Sequence, residues 1–137
     1  MIISALSPFR FAVGGVDVTP AAVNWGDTVP SDYGIADNIA TAQTISAIDT
    51  TITIKATLSG GGKAAWAING VLDAYTTGEA WTAVNSGDTL YLSVSAIPSP
   101  PTSGNYVSGT VTVTNESDGA AVLDTFTYTA QFVYPPP

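Results

Sequence analysis

The sequence predicts an all-β protein: an antiparallel β-sandwich of about seven to nine short strands with a short N-terminal arm. Three observations carry that expectation. Apolar and polar residues alternate with period two through much of the chain, the pattern of strands with one buried face. No segment sustains helical periodicity over three turns. Clusters of Gly, Pro, Asn, Asp and Ser interrupt the alternation about every 8–12 residues, the spacing of short strands in a sandwich. A small closed barrel would carry the same local pattern and stands as the alternative architecture.

The elements follow in chain order. Residues 1–10 open with "MIISALSPF", which brings Met1, Ile2, Ile3, Leu6 and Phe9. The segment is too short to fold alone, so it reads as an edge strand or as an interaction arm docking on a neighbouring subunit. The sandwich is expected over residues 11–134, with weaker strand patterns at 10–19, 21–25, 42–48, 64–70 and 79–84. In "TITIKATL" (51–58), Ile52, Ile54, Ala56 and Leu58 share one face. In "TLYLSVSA" (89–96), Leu90, Leu92, Val94 and Ala96 oppose Tyr91, Ser93 and Ser95. "YVSGTVTVT" (106–114) aligns Val107, Val111 and Val113, and "DTFTYTAQFVY" (124–134) aligns Phe126, Tyr128, Ala130, Phe132 and Tyr134. The Asp-Gly of "NESDGA" (115–120) marks a hairpin between the last two strands. "SGGGK" (59–63) and "ING" (68–70) are turns, and "PSPPTSGN" (98–105) is a loop, because proline cannot donate to a ladder. The tail "PPP" (135–137) ends the sheet.

Composition excludes several functions. Only 10% of the 137 residues are charged, against 45% apolar. The ordinary charged share is about 25%, so Thr, Ser, Asn and Gly must supply the polar surface. Net charge is −8, with Arg10, Lys55 and Lys63 the only cations. Three cations cannot build the basic face that nucleic acid or an anionic membrane requires, so neither is an expected partner. The chain has no Cys and no His, which removes disulfides, thiolate metal sites and histidine-dependent catalysis. The N-terminus lacks a basic region followed by a sustained apolar core, so no ordinary signal peptide is expected. No apolar run approaches the roughly 20 residues of a spanning helix.

Candidate chemistry is sparse. Asp27, Asp32, Asp37, Asp49 and Asp88 fall in turn regions without the dense spacing of a calcium loop, and Asp is an ordinary turn former. No metal or other cofactor is expected. Glu79 and Glu116 are the only glutamates, and nothing in their context marks a glycosidase pair. No catalytic residue is assigned, and an enzyme is not expected. Aromatics offer more. Trp66 alternates with Ala64 and Ile68 and reads as the central core tryptophan, while Trp25 and Trp81 lie near turns and read as half-buried. Trp81 and Tyr91 are the candidates for exposed aromatics, which could join a row that stacks on sugar rings. "NES" (115–117) matches the glycosylation sequon, a weak signal at one occurrence. Finally, "VNWGDT" (23–28) and "VNSGDT" (84–89) agree at five of six positions. Their flanks do not align, so each reads as a strand end with a Gly that permits positive φ and an Asp that bonds local backbone.

The stretch "AAWAINGVLDAYTTGEAWTAVNSGDTLYLSVSA" (64–96) and the hairpin "GTVTVTNESDGAAVLDTFTYTA" (109–130) resemble an immunoglobulin-like (Ig-like) module common in bacteriophage virion proteins and bacterial surface proteins. The similarity spans about residues 23 to 130 and contains no catalytic motif; the loop "IPSPPTSGNY" (97–106) is longer than is typical. The resemblance implies an Ig-like sandwich and a non-enzymatic structural role in a phage particle. A capsid decoration or cement protein is the first expectation, then a head or neck fibre or a tail accessory protein. Its partners would be a major capsid or tail protein and further copies of itself, and its location the virion, released by host lysis. The alternative is a carbohydrate-binding or adhesion module of a phage or bacterial surface.

Overall fold

The alternating runs become two antiparallel sheets packed face to face. The structure, a computed structural model, describes residues 16–26, 38–39, 41–95 and 105–132. The arm with Met1, Ile2, Ile3, Leu6 and Phe9, most of the proline loop and the tail 135–137 lie outside the described residues. The strands are β1 (Asn38–Ile39), β2 (Gln43–Thr44), β3 (Ile52–Leu58), β4 (Lys63–Ile68), β5 (Val71–Leu72), β6 (Thr76–Thr77), β7 (Glu79–Val84), β8 (Thr89–Ser95), β9 (Asn105–Asn115) and β10 (Ala121–Phe132). One sheet runs β10-β9-β3-β7; the other runs β1-β8-β4-β5, with β2 also on β8 and β6 also on β4. The described residues contain no helix. Of the weaker strand patterns, 64–70 and 79–84 become β4 and β7, 42–48 keeps only β2, and 16–25 forms no strand.

The pairing of the four central strands can be set beside that of an immunoglobulin sandwich. That fold places its second and fifth strands side by side in one sheet and its third and sixth in the other. Here β3 pairs with β7, and β4 pairs with β8. The flanks are arranged differently. After β8 the chain crosses back to the first sheet, where β9 pairs with the free side of β3 and β10 completes the hairpin. The place beside β8 goes instead to β1 and β2, from the N-terminal half.

Each alternating strand sends its apolar set inward as the pattern requires: Ile52, Ile54, Ala56 and Leu58 from β3; Leu90, Leu92 and Val94 from β8; Val111 and Val113 from β9; Phe126, Tyr128 and Ala130 from β10. Trp66 is 1% exposed, as its alternation predicts. Trp25 corrects the half-buried expectation: it is 0% exposed, although it sits on no strand. Its ring meets that of Trp66 at 5.5 Å between centroids and a 59° tilt, a geometry worth about 0.5–1.5 kcal/mol beyond area burial. Both indole N–H groups are satisfied, Trp25 by the Leu90 carbonyl and Trp66 by the Ala80 carbonyl, each at 3.0 Å. The segment 16–26 is held across the end of the sandwich by long-range bonds. Trp25 N–H donates to Asp124 Oδ2 at 2.7 Å, and the buried Asn115 amide donates to the Val18 carbonyl at 2.8 Å.

Two further points position the faces. Tyr128 Oη accepts the Gly60 N–H and donates to the Gly61 carbonyl, both at 2.8 Å, fastening β10 to the β3–β4 turn. A Cβ at Gly60 would stand 1.6 Å from the Ser108 carbonyl oxygen, so only glycine lets β9 pass this close. On the six-stranded sheet the outward residues Ala65, Ala67, Ser93 and Ser95 are also buried. Tyr75 reaches this face from the connection between β5 and β6, its hydroxyl 2.7 Å from Ser93 Oγ.

Candidate functional site

The outer face of the four-stranded sheet is built from the polar half of four strands. The register sets Thr57 of β3 beside Thr112 of β9, and Thr112 beside Thr125 of β10. Thr127 lies opposite Thr110, and Thr129 opposite Ser108. Side chains opposite one another in an antiparallel pair stand about 4.5–5.5 Å apart at Cβ, so the hydroxyl-bearing residues form adjoining rows. Threonine suits this work: its branched Cβ favours strand geometry, and its hydroxyl keeps the face wettable without charge.

One cluster breaks the uniformity of this face. Lys55 on β3 lies directly opposite Trp81 on β7 and, on its other side, Thr114 on β9. Its Nζ sits 5.0 Å from the Trp81 ring centroid and 3.9 Å from Glu116 Oε1. Glu116 in turn accepts the Thr114 hydroxyl at 2.6 Å. Trp81 donates its indole N–H to Glu79 Oε1 at 2.9 Å, two residues back on the same face. The ring is therefore fixed at two points, yet Trp81 remains 51% exposed. The cation–ring contact is worth about 0.5–1 kcal/mol at such a site. The ion pair, at 3.9 Å between two half-buried side chains, adds about 1 kcal/mol or less. The cluster does little for stability. It holds a large aromatic surface in a defined pose on strand β7, which has no second strand neighbour among the described residues.

Trp81 and Tyr91, the two candidates for exposed aromatics, do not share a face; Tyr33 lies outside the described residues. Trp25 and Trp66 are buried, so Trp81 alone of the three tryptophans is exposed. Tyr91, half-buried, lies on the outer face of the six-stranded sheet, opposite Ala67 in register. Trp81 and Tyr91 therefore point to opposite sides of the sandwich. The two glutamates do share a face with Lys55, and each already serves a neighbour. The described residues hold no group of three or more acidic side chains arranged to take a metal ion; Asp27, Asp32 and Asp37 lie outside them. The sequon asparagine, Asn115, is 0% exposed and both ends of its amide are bonded, to the Val18 carbonyl and the Ser117 N–H, so it presents no glycosylation site.

Both twin strings turn at a glycine of positive φ. In the second, Gly87 takes φ 97° and Asp88 Oδ2 accepts the Asn85 N–H at 2.8 Å, as the turn reading predicts. Asp88 Oδ1 also accepts from the Asn69 amide at 3.0 Å. The Asn85 N–H first, then the Asn69 amide, hold the Asp88 carboxyl below the usual carboxylate range. In the first, Gly26 also takes positive φ, at 70°, and Asn24 Oδ1 accepts the Gly26 N–H at 3.1 Å; Asp27 lies outside the described residues. That turn sends Trp25 into the core.

Sequence reasoning named Trp81 but missed its partners. Glu79 was legible, since residues two apart on a strand share a face. Lys55 was not, because strand register is not written in either strand alone. No protein-family model matches this chain, and no curated protein matches it.

Proposed function

We propose that this protein is a non-enzymatic structural component of a bacteriophage particle, a capsid decoration protein in the first instance. A head or neck fibre or a tail accessory protein is the next choice. The observation that carries the reading is the outer face of the four-stranded sheet: threonine rows of low charge on β3, β9 and β10, bordered on the edge strand β7 by one immobilised, exposed tryptophan that Lys55 and Glu79 hold in place. Interface centres are depleted in charge and enriched in aromatics, and tryptophan recurs among the few residues that dominate binding energy. Fixing the ring before binding lowers the entropy lost on association. The Ig-like resemblance of residues 23 to 130 adds the particle context, and the apolar segment 1–9 is a second candidate contact with a neighbouring subunit.

The test is mass spectrometry of gradient-purified particles from the phage or prophage that encodes the chain. The proposal predicts this protein in the particles at a copy number matching a symmetric lattice. Its absence from intact particles would end the proposal. A carbohydrate-binding role is the second reading, favoured by the exposed Trp81 ring beside the Glu79 carboxylate. It rests on a single aromatic, and a blank glycan array would remove it.

A further inference from the structure

Asn69 and Gly70 form the chain's one Asn-Gly pair. They make the turn between β4 and β5, with φ of 51° and 85°, the left-handed pair that tight hairpins require. Both are exposed. Asn-Gly is the dipeptide most open to deamidation, because glycine has no side chain to shield its amide nitrogen. Here the asparagine side chain is held at both ends: Oδ1 accepts the Thr89 N–H at 2.9 Å, and Nδ2 donates to Asp88 Oδ1 at 3.0 Å. The Asn69 backbone N–H also bonds the Thr89 carbonyl, at 2.7 Å.

We infer that Asn69 is a latent deamidation site kept closed by Asp88 and Thr89, and that opening this clamp converts it irreversibly. The chemistry needs only water and hydroxide. Hydroxide takes the Gly70 amide proton, and that nitrogen attacks Asn69 Cγ. A C–N bond forms while the Cγ–Nδ2 bond breaks, and Nδ2 takes a proton from water and leaves as ammonia. Water then opens the succinimide ring at one carbonyl or the other, giving aspartate or isoaspartate. The net change is ammonia lost for water gained, with no redox step. For the attack, Cγ must swing toward the Gly70 nitrogen by rotation about Cα–Cβ and of the Asn69 backbone, which carries the carboxamide away from Asp88 and Thr89 and breaks both clamp bonds.

The product cannot close again. An aspartate at position 69 would set an acceptor where Nδ2 donated, against the Asp88 carboxylate. Isoaspartate would lengthen the backbone of a turn whose flanking residues, Ile68 and Val71, are paired. Either change loosens the corner that also carries the Ile45 N–H on the Asp88 carbonyl, at 2.8 Å. The inference stands independently of the proposed function.

The test incubates the intact chain at mildly alkaline pH and follows the Asn69 peptide by mass spectrometry. Three samples are compared: folded wild type, wild type unfolded in urea, and Asp88→Ala with its fold checked by near-ultraviolet circular dichroism. Folded wild type should deamidate slowest, and Asp88→Ala roughly tenfold faster, the scale of one ordinary hydrogen bond lost from the clamp. If Asp88→Ala does not fold, Asp88→Leu, which keeps the approximate shape and has no acceptor, is read in its place and should also exceed wild type. Equal rates in folded wild type and the folded variant, or in folded and unfolded wild type, would overturn the inference.

Discussion

Tyr128→Phe isolates what fastens the last strand to the turn at the sandwich edge. The side chain is 2% exposed and its ring is part of the core, so phenylalanine keeps the packing and removes only the hydroxyl. Two bonds go with it, from the Gly60 N–H and to the Gly61 carbonyl, both at 2.8 Å. A buried group left without its partner costs about 1–3 kcal/mol. Gly60 and Gly61 are themselves exposed, so water recovers part of the loss, and roughly 1–2 kcal/mol in total is expected. At roughly 3–5 °C per kcal/mol for a domain of this size, Tm should fall by several degrees. The assay is urea and thermal unfolding, with the urea slope unchanged because the same surface is exposed. The pH dependence gives a second reading. Burial pushes the Tyr128 phenol up, against the smaller opposing effect of the Gly60 hydrogen bond. The folded state therefore keeps its proton above about pH 10, where the unfolded chain loses it. Stability from this group is full below that pH and declines as pH rises toward the folded value. Tyr128→Phe should lose that alkaline component. A variant as stable as wild type, with the same alkaline decline, would refute the reasoning.

Asp88 gives the opposite sign. Its carboxyl is held low by the Asn85 N–H and the Asn69 amide, so its contribution is present above about pH 3.9 and lost as pH falls through the folded value. Asp88→Asn should flatten this part of the acid limb in urea titrations between about pH 5 and 2; an unchanged limb would contradict the bonding described. Ala120 occupies φ 60° at the end of the β9–β10 turn, a conformation that costs a Cβ-bearing residue about 1–2 kcal/mol. Ala120→Gly should therefore stabilise the protein by up to about 1 kcal/mol, less than the strain relieved, because glycine also loosens the unfolded chain. Trp81→Ala should cost roughly 1–2 kcal/mol in unfolding, from the half of the ring that is covered and its contacts with Lys55 and Glu79, well below the roughly 3–5 kcal/mol of truncating a core tryptophan.

Much of the fold was legible because sandwich strands bury one face and expose the other. In β3, β8, β9 and β10 the alternation alone identified the core side, and the Asp-Gly turn placed the last hairpin. Three features were not legible, each for a physical reason. Trp25 is buried by closure of an irregular segment over the sandwich end, which no local periodicity records. Ser93 and Ser95 read as a polar outer face, yet both are buried; at Ser93 the sequence does not show Tyr75, eighteen residues away, reaching over to meet it. The order of strands was hidden as well, since β9 crosses to the other sheet on the strength of pairing with β3, a contact between distant residues. The candidate site divides the same way. Trp81 and its neighbour Glu79 could be read from one strand, whereas Lys55 joined them only through register. The sequon at Asn115 shows the reverse error: a motif that suggests exposure belongs to a buried asparagine pinning the segment 16–26.

The most direct test of the proposed role is rebinding of purified protein to phage particles stripped of it, read by sedimentation. Wild type should bind saturably. Trp81→Ala should lose at least roughly thirtyfold in affinity, the scale of a dominant interface residue, while Tyr91→Ala, on the opposite face, should bind as wild type. Failure of the wild type to bind, or equal binding by Trp81→Ala, would contradict the account.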